Sequence, residues 1–153
     1  MVRALRRTLA LALLLALLVA PEDVRAPSPG CVRTDRVVDV GLSRTRFPNV
    51  LAHAERAAAR GWPSVYVITR RGADARRQRL LRAIPTRPGL DRDEVPPALG
   101  RGRGRGLTRG RDPQGWKADV EYVPSGENRG AGSVMGVKLR RFCGGTRFRY
   151  VAF

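Results

Sequence analysis

The sequence predicts an α+β fold, a small single domain whose early helices pack on a mainly antiparallel sheet. Three observations carry that prediction. Two helix-forming stretches come early, "FPNVLAHAERAAARG" at 47–61 and "GADARRQRLLRAI" at 72–84. Most stretches with strand character come late, at 118–124, 134–142 and 147–153. The joints between elements are rich in Gly and Pro, and no internal repeat is visible. At 153 residues, one domain is the expectation.

Taken in order, the chain opens on a basic "MVRALRR", followed by the apolar run "TLALALLLALLVA" at 8–20. "VRA" at 24–26 places small residues at the −3 and −1 positions of a cleavage site. Residues 1–26 therefore read as a secretory signal peptide. An uncleaved anchor fits less well, because the run stops at Pro21, short of the roughly 20 residues a span needs. No later segment is expected to cross a membrane. Residues 27–44 form a mature N-terminal segment that begins loosely at "APSPG" and gains strand character at "RVVDVGL" (36–42).

The first helix has Pro48 near its start, an alanine-filled interior and Gly61 as its stop. "PSVYVITR" (63–70) is β-branched and aromatic, hence a strand. The second, Arg-rich helix ends at "PTRPG", and "GLDRDEVPP" (89–97) follows as an extended acidic stretch closed by Pro96 and Pro97. Residues 100–115 are an Arg/Gly-rich insertion whose glycines resist ordering and whose arginines repel one another. It reads as a cationic arm for a phosphate backbone, or as a solvated insertion with no role in catalysis. "ADVEYVP" (118–124) alternates as a strand, "SGENRGAGS" (125–133) reads as a turn or loop, and "VMGVKLRRF" (134–142) and "RFRYVAF" (147–153) read as strands.

Charge narrows the partner. The chain has 30 Lys+Arg against 13 Asp+Glu, a net +17. Removing the four arginines and two carboxylates of the leader leaves +15, which argues for a polyanion. Lys occurs only at 117 and 138, so the basic groups are almost all guanidinium forks suited to phosphate oxygens. Cys31 and Cys143 are the only cysteines; in an exported chain an even pair suggests a disulfide to the last strand, worth roughly 2–4 kcal/mol, with two unpaired thiols as the alternative that spacing alone leaves open. Two cysteines and one distant histidine do not make a zinc site, and no Gly-Lys-Ser/Thr completes a Walker loop.

Against this basic background, Asp91, Asp93 and Glu94 fall within four positions. On an extended segment Asp91 and Asp93 face the same way and repel unless a cation sits between them. Mg²⁺ or Mn²⁺ prefers such oxygen ligands, although spacing alone favours an acidic loop paired with arginines. An EF-hand is excluded because its Gly and later Glu are not at the required spacing. His53, the sole histidine, falls on the apolar face of the first helix, where a satisfied core histidine is the ordinary reading and water activation the functional one. Glu127, Asn128 and Arg129 precede a Gly-rich turn, and they offer a metal ligand or base and two phosphate donors.

The order of "FPNVLAHAERAAARG", "RRGADARRQRLLRAIPTRPGLDRDEVPPA" and "VEYVPSGENRGAGSVMG" resembles the NucA/NucB-type deoxyribonuclease domain over roughly residues 45–153. The "PTRPG-DRDE-P" and "NRGAGS" runs are the specific part. The resemblance implies a secreted, monomeric nuclease that cuts DNA with a divalent metal, Mg²⁺ or Mn²⁺, by nonspecific contact with the phosphate backbone. It implies Asp93 as the principal catalytic or metal-binding carboxylate, with Asp91 or Glu127 as second ligand. His53 or Glu94 would be the base, and Arg76, Arg77, Arg92, Asn128 and Arg129 the DNA contacts. The chain departs from the family in three places. Val95 stands where Trp or Tyr is usual, and the Arg/Gly insertion replaces a Glu-Gly-Gly. Tyr66 and Gly100 stand where many relatives carry two cysteines, as if one disulfide had been lost whole. A catalytically inert secreted binder of DNA or another polyanion on the same fold is the alternative.

Overall fold

The computed structural model describes residues 30–102 and 118–153. The predicted leader and most of the Arg/Gly insertion lie outside these residues. The elements run β1 (Val38–Leu42), α1 (Pro48–Ala59), β2 (Tyr66–Ile68), α2 (Ala73–Leu81), β3 (Leu90–Val95), β4 (Gly100–Gly102), β5 (Asp119–Pro124), α3 (Ser125–Leu139) and β6 (Arg147–Ala152). The fold is α+β, as the sequence predicts. Among the described residues, no helix is long and apolar enough to cross a membrane.

Two sheets result. One has the strand order β1-β6-β2-β4, with β1–β6 parallel and the other pairings antiparallel. The other is the antiparallel pair β3–β5. In β1 the alternating residues Val38, Val40 and Leu42 are buried, which is the period a half-covered strand requires. In α1, Pro48 occupies the first turn, where its missing N–H is not needed, and Val50, Leu51, His53 and Ala57 turn inward. Tyr66 and Phe148 meet at 5.3 Å between ring centroids, and Tyr66 and Tyr150 at 5.7 Å, which places an aromatic cluster on the central strands of the larger sheet.

That cluster explains Gly100. Ile68 pairs with Gly100 across β2–β4, and a Cβ added at Gly100 would lie 3.0 Å from both Tyr66 Cβ and Phe148 Cζ. Tyr66 and Gly100 are therefore neighbours in space. Here an aromatic ring fills the room and a glycine supplies it.

The structure corrects the sequence reading over residues 125–142. Ser125–Leu139 is one helix, where the sequence predicts a loop followed by a strand. The glycines at 126, 130, 132 and 136 lower helix propensity by roughly 1 kcal/mol each. Yet Ala131, Val134, Met135 and Leu139 recur at helical spacing, and all four are buried or packed against the core. Tertiary burial outweighs propensity here. Gly130 also has a positive reason: a Cβ there would lie 2.9 Å from Phe47 Cε1, so α3 sits against that ring only because the side chain is absent.

Cys31 and Cys143 form a disulfide, with Cα atoms 5.1 Å apart and a sequence separation of 112. It reaches the turn between α3 and β6 rather than the last strand itself. Flanking backbone bonds, Val32 N–H to Arg141 O at 2.7 Å and Cys143 N–H to Val32 O at 3.0 Å, fix the same junction.

Two glycines of α3 give opposite expectations. Gly130→Ala forces Phe47 to move, and after the helix-propensity gain it should cost about 1 kcal/mol. Gly132→Ala, whose Cβ would meet nothing within 4 Å, should stabilise by about 0.5–1 kcal/mol. Urea unfolding of the two variants checks the pair. Equal shifts of the same sign would show that Phe47 does not set the approach of α3.

Candidate functional site

The site is built around the β3–β5 pair. The register sets Asp91 opposite Val123, Asp93 opposite Glu121 and Val95 opposite Asp119. Because strand side chains alternate, Asp91, Asp93, Asp119 and Glu121 all share one face. Asp93 and Glu121, like charges directly across the ladder, would destabilise the pair unless compensated.

Helix α1 and the residue that ends it supply the compensation. His53, Arg56 and Arg60 fall at i, i+3 and i+7, a single helical face, and they lie across these carboxylates. Arg56 bonds Glu121, and Arg60 bonds both Asp119 and, at 2.8 Å, Glu121. His53 is fully buried, with Nδ1 2.6 Å from Asp93 Oδ2. Its Nε2 lies 3.3 Å from Asp119 Oδ2, out of line for a hydrogen bond. The Arg56 hydrogen bond, with that of Arg60, pulls Glu121 down to about 2. Asp93 moves the other way: burial raises it, and His53 and Arg77 only partly oppose the shift.

At the other end, Ser125 and Arg129 reach from α3 to Asp91, with Ser125 Oγ–H donating at 2.8 Å and Arg129 Nε at 3.1 Å. The Arg129 bond, aided by Ser125, holds Asp91 below the usual carboxylate range. Glu94 points to the opposite face of β3. Burial pushes it up to about 7, and the neighbouring Asp93 charge adds to the shift while Arg77 opposes it. Arg77 Nε is 2.7 Å from Glu94 Oε1 but does not align as a hydrogen bond, so that buried oxygen is left unsatisfied.

A 490 Å³ cleft opens between β3, α2 and α3. It brings together Asp91, Asp93, Glu94, Arg77, Asn128 and Arg129, six of the residues singled out from the sequence, and adds Asp74. The other four stand elsewhere. His53 lies behind Asp93. Glu127 accepts the Val50 N–H and the Asn49 amide, each at 2.8 Å, and so caps the start of α1. Arg76 is only 4 % exposed, and its guanidinium bonds the carbonyls of Arg71, Thr69 and Ala98. Arg92 Nη1 bonds the Leu81 and Ile84 carbonyls at the end of α2.

Asp119 and Glu121 were not singled out from the sequence. The signal was present in "ADVEYVP", whose alternation puts both on one face, and in the helical spacing of His53, Arg56 and Arg60. His53, Asp119 and Glu121 each offer a ligand atom within 4.8 Å of the others, but both carboxylates already face guanidinium groups. The cleft offers hard oxygen donors, Asp91, Asp93 and Glu94, with one buried Glu94 oxygen lacking a hydrogen bond. That donor set fits Mg²⁺ or Mn²⁺.

No family model matches the chain. Over 102 residues it is 36 % identical to the DNA-entry nuclease of Bacillus subtilis (strain 168), across 67 % of this chain and 62 % of that protein. The match thus spans less than two thirds of the relative's length.

The two displaced glutamates predict a stability profile with two slopes. Glu94 has an ordinary value of 4.5 and is raised to about 7 on folding, so its protonated form contributes fully below 4.5 and that contribution is lost as pH climbs through about 7. Glu121 is lowered from 4.5 to about 2, so its contribution is present above 4.5 and is lost as pH falls through about 2. Urea unfolding between pH 2 and pH 8 should show Glu94→Gln removing the neutral-side slope and Glu121→Gln the acid-side one. A Glu94→Gln curve parallel to the parent between pH 5 and pH 7 would refute the Glu94 assignment.

Proposed function

The chain belongs to the NucA/NucB-type nuclease family, and from that premise we propose that it is a secreted, metal-dependent, largely sequence-nonspecific endodeoxyribonuclease. It would hydrolyse the phosphodiester bonds of DNA. The observation that carries this reading is the cleft in which Asp91, Asp93 and Glu94 face Arg77, Asn128 and Arg129. Carboxylates for a cation and donors for phosphate oxygens meet there in one place. The leader-like residues 1–26 and the disulfide support export.

Each side chain then has a task. Asp93 is the central carboxylate, and Asp91 would complete a metal site with it. A bound Mg²⁺ or Mn²⁺ would polarise the phosphate and lower the pKa of its water. Glu127 is committed to the start of α1, which leaves the second-ligand role to Asp91. His53 has no solvent exposure, and both its ring nitrogens face carboxylates, so it holds Asp93 in position rather than acting as the base. Glu94 keeps a proton close to neutrality and stands beside the reacting phosphate. Arg77, Asn128 and Arg129 grip phosphate oxygens from the cleft walls. Contacts of this kind read backbone rather than bases, which accounts for a lack of sequence preference.

A second reading, a binder of DNA that does not cut it, is favoured by the engagement of both Asp91 oxygens with Ser125 and Arg129. The mature chain incubated with supercoiled plasmid, with Mg²⁺ or Mn²⁺ and with or without EDTA, separates the two. Cleavage abolished by EDTA is expected. Asp93→Asn should lose roughly 10²–10⁴-fold in rate while retaining DNA retardation on a gel. Retardation without cleavage under either metal would establish the binder instead.

A further inference from the structure

The cleft itself is poorly suited to holding DNA. Four carboxylates line it, Asp74, Asp91, Asp93 and Glu94, against the two arginines Arg77 and Arg129. Even with a divalent cation bound, its charge is close to balanced. The grip of Arg77, Asn128 and Arg129 on the reacting phosphate therefore gains from a neighbouring surface that carries more positive charge.

One such surface adjoins it. A 440 Å³ groove is lined by Arg77, Gln78, Leu81, Arg82 and Arg92. Among the described residues, no carboxylate lines it. Arg77 lines both concavities, so the groove adjoins the cleft beside α2. Two of its three guanidinium groups are already fixed. Arg92 is anchored by the carbonyls of Leu81 and Ile84, and Arg77 lies against Glu94. Both charges are held without a ligand, which reduces the ordering cost of binding one. Arg82, which ends α2, is exposed and also lines the groove. Leu81 gives an apolar floor and Gln78 an amide donor. Among the described residues no aromatic side chain lines the groove, so its contacts there are to the backbone rather than to stacked bases.

We propose that this groove is the phosphate track of the enzyme: it holds the DNA backbone flanking the bond that lies in the cleft. The inference rests on the DNA-cleaving reading for its substrate, but its own content is the location of the binding energy. Arg82 and Gln78, to which the resemblance assigns no role, become binding residues. Arg92 joins them through its charge rather than through free donors.

The test measures binding apart from cleavage. In an Asp93→Asn background, a fluorescein-labelled duplex is titrated at several salt concentrations and followed by anisotropy. Arg82→Gln should weaken binding several-fold and reduce the slope of log K against log salt by about 0.9, the value for one lost phosphate contact. Arg82→Lys should keep the slope. Arg141→Gln, an equal loss of charge at an exposed residue lining neither cleft nor groove, should leave it unchanged. An unaltered slope in Arg82→Gln, or the same reduction in Arg141→Gln, would overturn the proposal. The parent enzyme's cleavage of plasmid is scored separately. If it fails to cut while the Arg82 effect persists, the groove stands and the nuclease reading falls.

Discussion

Across the β3–β5 pair, Asp93 stands directly opposite Glu121, with Asp119 two residues along on the same face. The domain depends on neutralising that arrangement. Unopposed, carboxylates at cross-strand distance would push the strands apart and lift α1 off them. Instead, one face of α1 ends in His53, Arg56 and Arg60, and each meets an acid on the strands. The contact is both electrostatic and a packing constraint. His53 is among the largest fully buried side chains, on the same helix face as core residues such as Val50 and Ala57. The same contact presents Asp93 to the cleft from behind. Fold and site are therefore held by one set of interactions.

The distribution of charge follows from this. A chain with a net +17 uses its arginines in three ways. Arg56 and Arg60 balance internal acids. Arg70, Arg76 and Arg92 bond backbone carbonyls near helix ends and in connections, work usually left to caps and water. Arg77 and Arg82, on the outside of α2, keep much of their surface in solvent and face the open groove. Total charge predicts a polyanionic partner, but among the described residues several arginines, Arg56, Arg60, Arg70, Arg76 and Arg92, are already committed within the fold.

Particular residues show where sequence reasoning reaches and where it stops. Pro48, the alanines and the inward spacing of Val50, His53 and Ala57 identify α1 because helical period and capping are local properties. The pairing of Asp91 and Asp93 on one face follows from strand alternation alone. Helix α3 reads as a loop and a strand from sequence because its four glycines mask a burial pattern that acquires meaning only against Phe47 and the core. Glu127 looks like a ligand in "GENRG" and turns out to cap a helix 77 residues away in sequence. Arg76 and Arg77 are adjacent in sequence and helix-periodic alike. One goes into the backbone and the other into the cleft, since neighbouring residues on a helix point about 100° apart and only the packing of α2 decides which side is inside.

The sequence by itself determined the fold class, the first helix, the acidic stretch, the export-like leader pattern, the cysteine pair and the family, because each rests on local period, composition or contiguous motif. The tertiary structure decided which acids meet which bases. It added Asp119 and Glu121, moved Glu127 and Arg76 into structural positions, and joined the groove of α2 to the cleft through Arg77. The physical reason is that charge pairing acts through space over a few ångströms, between residues tens of positions apart, and no local pattern records which partner the folded chain brings within reach.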